Sequence, residues 1–372
     1  MRVAFLVDTI GSDKGGTERQ LLAILRRLDR RRFEPELIVM RSSPWMKANP
    51  LPCPVWVLNY RGFLSPSFPR VLLRYRHLLT SRRYAVVQTF LEESILLAGL
   101  AGVNLESAPA LLSARRDTGM PGEHPWYHSL FRALRPIINR RFHAIVANGT
   151  QVKAYTVEEE QVDPSRVHVI PNGVDLPADS YPVPEPIRSG DEAIWIGAVA
   201  NLKPVKRIDL LIDALQILGG RPNGRPVKLL ILGDGRERAR IENHIARAGL
   251  QDDVFMIGAV KDVKPYLAHL DIAVSSSDRE GLSNAILEAM AAGLPVVTTD
   301  VGESRDLVKE DNGYLVPSGD ASALADRIGR LIADSDLRRR MGQASRRRAQ
   351  DEFSWSSALR RIEALLTETA SP

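Results

Sequence analysis

Short apolar runs alternate with amphipathic stretches along almost the whole chain of 372 residues. Each run is nearly free of polar residues, and the stretch after it repeats apolar residues every three or four positions. Apolar strands that alternate with helices are typical of parallel sheets with both faces covered. The first half of the chain therefore predicts seven strands, at 2–8, 35–40, 54–59, 85–90, 110–115, 144–148 and 167–173.

This rhythm breaks once, at LPADSYPVPEPIRSGD (176–191), which contains four prolines and no apolar period. Such a segment is typical of a linker. Six more strands are predicted at 193–199, 227–233, 254–258, 271–277, 294–300 and 313–317, and the chain after 320 is predicted to be mostly helical. We predict an α/β protein with two doubly wound, Rossmann-like domains, which face a deep cleft and bind ligands at the carboxyl ends of their strands.

Composition is that of an ordinary globular protein, with 44% apolar and 26% charged residues. The single cysteine, Cys53, can form neither an internal disulfide nor a zinc site, which fits a reducing compartment. The first apolar run is cut off by Asp8 and is too short for a signal peptide, and the stretch at 95–103 is about half a membrane span. We therefore expect a cytoplasmic protein.

Charge is shared unevenly between the halves. Residues 1–180 carry 24 Lys and Arg against 17 Asp and Glu, whereas residues 181–372 carry 26 against 28. The basic character of the first half suits a separate partner, although solubility alone explains it as well. Nucleic acid is not expected as that partner, because the arginines follow helical faces without interleaved aromatic residues.

Glycines and cations mark one edge of the predicted second sheet. Gly233 and Gly258 end two strands there, where a backbone without side chains allows close approach of a ligand. Lys203, Lys206 and Arg207 lie where RIDLLIDAL begins a helix. Cations oppose the helix dipole at that end, so the pattern indicates a phosphate site more than a solvated basic turn.

Two glutamates, Glu280 and Glu288, bracket a short apolar helix in DREGLSNAILEAMAAGLPVV (278–297). Ser283 is the predicted N-cap and Gly293 the predicted C-terminal stop. Free N–H groups at the helix start can bind a phosphate, and carboxylates can accept hydrogen bonds from neighbouring sugar hydroxyls. Spacing alone favours the alternative, in which Glu288 is a solvated helical glutamate.

The segment 275–319 strongly resembles retaining glycosyltransferases of family 4, which have the GT-B fold. The resemblance extends over nearly the whole chain and includes GGTERQLLAIL (15–25), VHVIPNGVDL (167–176), ANLKPVK (200–206) and LLILGDG (229–235). It implies transfer of a sugar from a nucleotide sugar, by default a UDP-sugar, to a hydroxyl acceptor in cell-envelope polysaccharide, glycolipid or related synthesis. The domains are then expected at 1–178, on the acceptor side, and 179–352, for the nucleotide sugar, with 353–372 a helix that crosses back.

The resemblance also implies roles for single residues. Glu280 faces the donor sugar, Glu288 binds the ribose, and Lys206 binds the phosphates, so that Glu280 and Lys206 are the expected catalytic pair. Further donor contacts are expected from backbone and loop positions, namely Gly15, Gly16, Asn201, Lys203, Gly233, Gly258, Val260, Gly281, Leu282, Ser283 and Asn284.

The chain departs from the family pattern at three places. Asn201 stands where the family usually has a phosphate-binding arginine, so either Lys203 substitutes or the diphosphate is held less tightly. Asp306 stands where many relatives have glutamate. A histidine common after a first-domain strand is missing, which leaves Glu92, Arg115 and Arg116 as acceptor-side candidates, and for each of them a structural role is favoured over a catalytic one.

The implied mechanism is attack from the face of the leaving group, with a phosphate oxygen helping to take the acceptor proton. Neither a cofactor nor a metal is expected, because protein charge can stabilise the diphosphate. Asp334 and Asp336 form an Asp-x-Asp between two late helices, and we predict a helix cap there and no metal site. Two other functions stay open: a GT-B sugar-nucleotide epimerase or hydrolase, and a non-catalytic nucleotide-sugar-binding regulatory partner.

The stretch 69–84 bears on the acceptor. Its apolar residues share one helical face among many basic residues, a pattern that suits docking on anionic lipid and hence a lipid-linked acceptor at the inner face of the membrane. It also suits packing on the first sheet, which the general rule for amphipathic helices favours. The apolar residues are Val71, Leu72, Tyr75, Leu78 and Leu79, and the basic ones Arg70, Arg74, Arg76, His77, Arg82 and Arg83.

Overall fold

The computed structural model describes residues 1–13, 15–101, 108–117, 134–178, 180–187, 192–219 and 222–370. Contacts divide the chain into two compact units. Unit 1 comprises Met1–Gly173 and Ala358–Pro372, and unit 2 comprises Val174–Ser357. The divisions therefore fall after residues 173 and 357, whereas the sequence predicts them after 178 and 352. Part of the predicted linker lies outside the described residues.

Unit 1 is built on a seven-stranded sheet in the order β3-β2-β1-β4-β5-β6-β7, and every neighbouring pair is parallel. The strands are β1 Arg2–Val7, β2 Glu34–Val39, β3 Val55–Val57, β4 Val86–Phe90, β5 Ala110–Arg115, β6 Ala144–Ala147 and β7 Val167–Val169. The helices are α1 Gly16–Arg27, α2 Pro44–Ala48, α3 Phe68–Arg82, α4 Glu92–Ala101 and α5 Thr150–Glu158, with a further helical stretch at 134–139.

Unit 2 has a six-stranded parallel sheet in the order β10-β9-β8-β11-β12-β13. Its strands are β8 Ile194–Val199, β9 Val227–Leu232, β10 Val254–Gly258, β11 Ile272–Ser275, β12 Val296–Thr299 and β13 Gly313–Val316. Its helices are α6 Ile208–Leu218, α7 Arg238–Ala248, α8 Lys264–Leu267, α9 Asn284–Ala291, α10 Ser304–Leu307, α11 Ala321–Ala333 and α12 Ser335–Phe353, and α13 Trp355–Ala370 follows.

Both sheets are covered on both faces, as near-continuous apolar strands require. Strand β1 is buried from Val3 to Val7, and β9 is buried at all positions except Lys228. The prediction of two doubly wound parallel sheets is confirmed. Within the described ranges, no helix is both long and apolar enough to cross a lipid bilayer.

Helix α3 places its apolar stripe in the core of unit 1. Val71, Tyr75, Leu78 and Leu79 are buried there, and Leu72 packs against the same cluster. Burial of one stripe is the usual reason why a surface helix is amphipathic. Of the two interpretations of this stretch, the structure therefore supports packing on the first sheet.

The C-terminal helix α13 contributes its residues from Ala358 onward to unit 1. Its Glu363 carboxylate accepts a hydrogen bond from the Asp29 N–H (3.1 Å) and pairs with Arg32 (3.3 Å). Ile362 and Leu366 of the same helix are buried. Unit 1 is therefore made from two separate parts of the sequence.

Candidate functional site

The site is organised by the reversal of strand order in unit 2. Strands β8, β9 and β10 extend the sheet in one direction, and β11 lies on the other side of β8. The loops after β8 and β11 therefore leave the same carboxyl edge in opposite directions, and open α/β sheets bind ligands at such a switch point. These loops contain Lys206 and Glu280.

Lys206 and Glu280 form an ion pair across this switch point. The same carboxylate oxygen, Oε1 of Glu280, accepts a hydrogen bond from the Ser277 hydroxyl (2.7 Å). The Lys206 and Glu280 side chains are 22% and 13% exposed, so both are partly shielded and still reach the surface. The fold thus brings together a cation and a carboxylate that are 74 residues apart in the sequence.

Hydrogen bonds fix the two loops to each other. The Ser276 hydroxyl donates to the carbonyls of Lys206 (3.0 Å) and Arg207 (2.8 Å), and the Asp278 N–H donates to the Val205 carbonyl (2.9 Å). Thr299 at the end of β12 donates its hydroxyl to the Ser277 carbonyl (2.6 Å). The ion pair therefore sits on a backbone that is held at several points, which favours a preorganised site.

Arg207 stabilises the conformation of the loop after β8. Its backbone is left-handed, with φ of 46°, an uncommon conformation for a residue with a side chain. Its guanidinium pairs with Asp209 (3.2 Å) and with Asp278 (3.2 Å). Of the three cations that the sequence placed near this helix start, Lys206 is the one that pairs with Glu280, whereas Lys203 is exposed.

Two glycines allow close backbone approaches behind the site. A Cβ on Gly302, whose φ is 50°, would lie 1.9 Å from the carbonyl oxygen of Glu280. A Cβ on Gly233, whose φ is 138°, would lie 1.9 Å from the Ala200 carbonyl oxygen. At both positions the neighbouring loop backbone therefore requires a residue without a side chain.

Helix α9 begins beside the ion pair. The Ser283 hydroxyl accepts a hydrogen bond from the Ile286 N–H (3.4 Å), so the predicted N-cap is confirmed, and Gly293 ends the helix with φ of 81°. Leu282 and Ser283 are buried. Gly281, Asn284 and Glu288 are half-buried. The two glutamates therefore bracket a capped helix start, as the sequence predicts.

The remaining donor-side positions lie along the same edge of unit 2 or in unit 1. The Gly233 N–H donates to the Gly258 carbonyl (2.8 Å), which joins the ends of β9 and β10, and Val260 packs on the core just beyond. Asn201 is exposed. In unit 1, Gly15 precedes α1, which begins at Gly16, and a Cβ on Gly15 would overlap the Glu18 carboxylate.

Arg115 and Glu92 take part in an ion-pair network of unit 1, in which the Glu92 side chain is 32% exposed and the Arg115, Arg135 and Glu160 side chains are buried or nearly so. Arg115 donates to Glu160 (2.9 Å), Ser113 (3.0 Å) and Asn139 (2.9 Å). Arg135 pairs with both Glu160 (3.0 Å) and Glu92. These contacts support the structural alternative that the sequence left open for Arg115 and Glu92.

Asp8 was not among the predicted site residues, although it lies at the end of a predicted strand. It follows β1 at the carboxyl edge of unit 1, and its carboxylate accepts a hydrogen bond from the Ser94 N–H (2.9 Å). Burial and the nearby Glu93 carboxylate raise the pKa of Asp8 to about 7, although the Ser94 N–H and Arg41 oppose them. An acidic residue directly after a buried strand was the available signal.

The late Asp-x-Asp is a helix cap. The Asp334 carboxylate accepts the Leu337 N–H (2.8 Å) at the start of α12, and Asp336 pairs with Arg339 (2.8 Å). The prediction that this pair of aspartates caps the second helix is confirmed.

Two family models match the chain. The model described as Glycosyltransferase Family 4 matches residues 14–177, and the model described as Glycosyl transferases group 1 matches residues 184–348. Together they cover most of both units.

The curated relatives are similar to parts of this chain. N-acetyl-alpha-D-glucosaminyl L-malate synthase of Bacillus anthracis is 31% identical over 156 residues, which is 42% of this chain and 40% of the relative. D-inositol 3-phosphate glycosyltransferase of Xylanimonas cellulosilytica is 31% identical over 58% of this chain and 56% of its own length. The matched region thus spans less than two thirds of these relatives.

Solved structures match over the full chain. The crystal structure of Anabaena Alr3699/HepE in complex with UDP has a TM-score of 0.82 and 20% sequence identity, and the match covers 99% of this chain and 100% of that one. At this level of identity the likeness bears on the fold. It confirms the two Rossmann-like domains of the predicted GT-B class.

Proposed function

We propose, from the premise that this chain belongs to the retaining glycosyltransferases of family 4, that it transfers a sugar from a nucleotide sugar to a hydroxyl acceptor. The observation that carries the proposal is the Lys206–Glu280 ion pair at the switch point of the second sheet, beside the capped start of α9. A cation, free helix N–H groups and carboxylates are the groups that a sugar diphosphate needs.

In this proposal each residue has a separate role in the transfer reaction at the anomeric carbon. The bond from that carbon to the diphosphate breaks, the acceptor oxygen bonds to the same face, and the acceptor proton passes to a phosphate oxygen. Lys206 and the N–H groups at the start of α9 stabilise the negative charge that develops on the leaving diphosphate. Glu280 accepts hydrogen bonds from the sugar hydroxyls, and Glu288 accepts them from the ribose.

We further propose that the donor is a UDP-sugar and that the chain acts in the synthesis of cell-envelope glycoconjugates. HepE was crystallised with UDP and with UDP-glucose. Relatives of this chain include a lipopolysaccharide core biosynthesis glycosyltransferase of Rhizobium meliloti and a capsular polysaccharide biosynthesis glycosyltransferase of Staphylococcus aureus. The single cysteine fits the reducing cytoplasm as the place of action.

Donor binding can be tested by thermal shift with UDP, GDP, ADP and dTDP and their common sugar conjugates. We expect UDP and one UDP-sugar to raise the melting temperature, because a ligand that binds the native state stabilises it by about 2.7 kcal/mol at a hundredfold excess over Kd. The shift should persist in EDTA and disappear in Glu288→Ala.

The matched control for this experiment is Glu310→Ala, which removes an exposed glutamate of the same unit. This variant should keep the full shift. If no nucleotide stabilises the wild type, the donor site is disproved. If nucleotides bind but neither transfer nor donor hydrolysis occurs, the regulatory-partner alternative replaces the enzyme.

We also propose a weak peripheral contact with anionic membranes through the outer face of α3. With its apolar stripe buried, this helix exposes Arg70, Arg74 and His77 around Leu73, which is 66% exposed. Each basic residue near an anionic surface contributes about 1 kcal/mol, and salt screens that attraction. We expect flotation with phosphatidylserine vesicles at low salt, and loss of flotation in 0.5 M salt or in Arg70→Glu/Arg74→Glu; absence of binding at low salt would remove the membrane proposal.

A further inference from the structure

Four neighbouring strands of unit 1 end around one arginine. Arg116 directly follows β5, Asn148 directly follows β6, and Asn172 lies just beyond β7. The register pairs Arg115 with Ala147, so Arg116 and Asn148 leave the sheet side by side. The amide of Asn148 donates to the Arg116 carbonyl (3.2 Å). This cluster lies at the carboxyl edge, where parallel sheets bind ligands.

The guanidinium of Arg116, a half-buried residue, has no carboxylate partner in the part of the chain that the structure describes. One Nη group donates to the Asn172 side-chain oxygen, and the guanidinium carbon lies 5.5 Å from the centre of the Phe90 ring. Its Nε is buried and has no hydrogen-bond partner among the described residues. Burial lowers the pKa of Arg116 to about 10, and no acidic group of the described chain offsets that effect.

Two other arginines of unit 1 show what a buried cation normally requires. Arg115 pairs with Glu160 at 2.9 Å, and Arg135 pairs with the same carboxylate at 3.0 Å. Buried charges in proteins are nearly always paired, because an uncompensated charge is strongly destabilising. Among the described residues, Arg116 contacts a neutral amide and an aromatic ring, so an anion beside Nε would supply the negative charge that these groups lack.

We propose that Arg116 and Asn172 form an anion-binding subsite for a phosphate or carboxylate group of the acceptor. The assignment to the acceptor rests on the proposed glycosyl transfer. The buried Oδ1 of Asn148 is also without a partner among the described residues, and it can accept a hydrogen bond from a hydroxyl. The cluster therefore fits an acceptor that carries an anionic group close to a hydroxyl, such as a sugar phosphate or a hydroxy acid.

The test compares Arg116→Met with Arg115→Met in thermal unfolding, without ligand and with inorganic phosphate, glycerol 3-phosphate or UDP. Potassium chloride at matched ionic strength is the reference. We expect phosphate to raise the melting temperature of the wild type and glycerol 3-phosphate to raise it further. Arg116→Met should weaken phosphate binding about tenfold or more, since hydrogen bonds to charged groups are the strong ones, and Arg116→Lys should bind with intermediate affinity.

Stability without ligand separates a ligand site from a structural role. Arg116→Met should melt no lower than the wild type, because it removes an uncompensated charge, whereas Arg115→Met should melt clearly lower, because it leaves Glu160 buried with one partner fewer. Equal destabilisation by both variants, or an unchanged phosphate shift in Arg116→Met, overturns the proposal.

Two further arms identify the source of the anion. The UDP shift should be intact in Arg116→Met; if UDP loses its effect there and phosphate does not, the subsite belongs to the donor and the acceptor assignment is wrong. Absence of a UDP shift in the wild type, with the phosphate effect preserved, would contradict the proposed function and leave the anion site standing.

Glu123 is the only acidic residue among 118–133, which lie outside the described residues. If Glu123→Gln lowers stability and this loss disappears when Arg116→Met is added, the partner is internal and the proposal falls.

Discussion

Replacement of Lys206 by methionine is expected to lower kcat/KM for sugar transfer by about 10²–10³-fold, the usual effect of removing one preorganised group that stabilises developing charge. The side chain of Lys206 is held against Glu280, and its loop is tied to the β11 loop by Ser276. The loss should fall mainly on kcat, because charge on the leaving diphosphate grows towards the transition state. Before the acceptor is known, the rate of donor hydrolysis, followed as release of free nucleotide, can be compared between the variant and the wild type.

Lys228→Met is the matched control for this change. Lys228 lies in β9 of the same sheet, its side chain is also 22% exposed, and it also pairs with a carboxylate, Asp253 (2.8 Å). It lies away from the switch point, so its replacement should leave kcat within about twofold of the wild type, as for a surface substitution. Equal losses in the two variants would mean that any paired lysine of unit 2 matters, and the role proposed for Lys206 would be abandoned.

The largest expected loss of stability comes from Glu160→Gln. Glu160 is buried and shared by two buried arginines, Arg115 and Arg135. Removing its charge takes away the carboxylate of Arg115 and one of the two carboxylates of Arg135. This change should lower the free energy of unfolding of unit 1 by about 3–5 kcal/mol. Hydrogen exchange of the β5 and β6 amides in increasing urea measures this locally, which matters because a chain of two units need not unfold in one step.

The control is Glu34→Gln, which breaks the exposed Arg2–Glu34 pair of the same sheet (3.2 Å). Exposed ion pairs contribute about 0–1 kcal/mol, so the β5 and β6 amides should exchange almost as in the wild type. If both variants behave alike, the buried network does not carry the stability of unit 1.

The stabilisation by Glu160 should also depend on pH. Burial raises the pKa of Glu160, but the guanidinium groups of Arg115 and Arg135 and the Asn139 amide lower it by more, so the pKa in the folded protein lies below the ordinary value of 4.5. A lowered carboxyl pKa adds stability that is fully present above the unfolded value and is lost as the pH falls through the folded value. The difference between wild type and Glu160→Gln should therefore be constant above about pH 5.5 and shrink below pH 4.5.

Local patterns were sufficient to predict the elements and their caps. The strands follow from apolar runs, and the caps at Ser283 and Asp334 follow from residues that compete for free N–H groups at helix starts. Family resemblance pointed to Lys206 and Glu280, but their mutual contact depends on β11 pairing with β8 across 74 residues. Periodicity carries no information about that order of strands.

Other features of the site depend on contacts that no local pattern reveals. Gly302 is required by the Glu280 carbonyl, which comes from a different segment of the chain. Arg115 and Arg116 were indistinguishable in sequence, yet one pairs with Glu160 and the other lies over Phe90. Successive residues of a strand point to opposite faces, so one residue of register decides which arginine is neutralised.

The return of helix α13 to unit 1 has a consequence for biosynthesis. A ribosome releases the chain from the N-terminus at about 5–20 residues per second, and domains generally fold as soon as they are complete. Unit 1 begins first, but Glu363, the partner of Asp29 and Arg32, is made only after unit 2. Unit 2, continuous from Val174 to Ser357, can finish earlier. The half of the protein that is translated first is therefore the half that matures last.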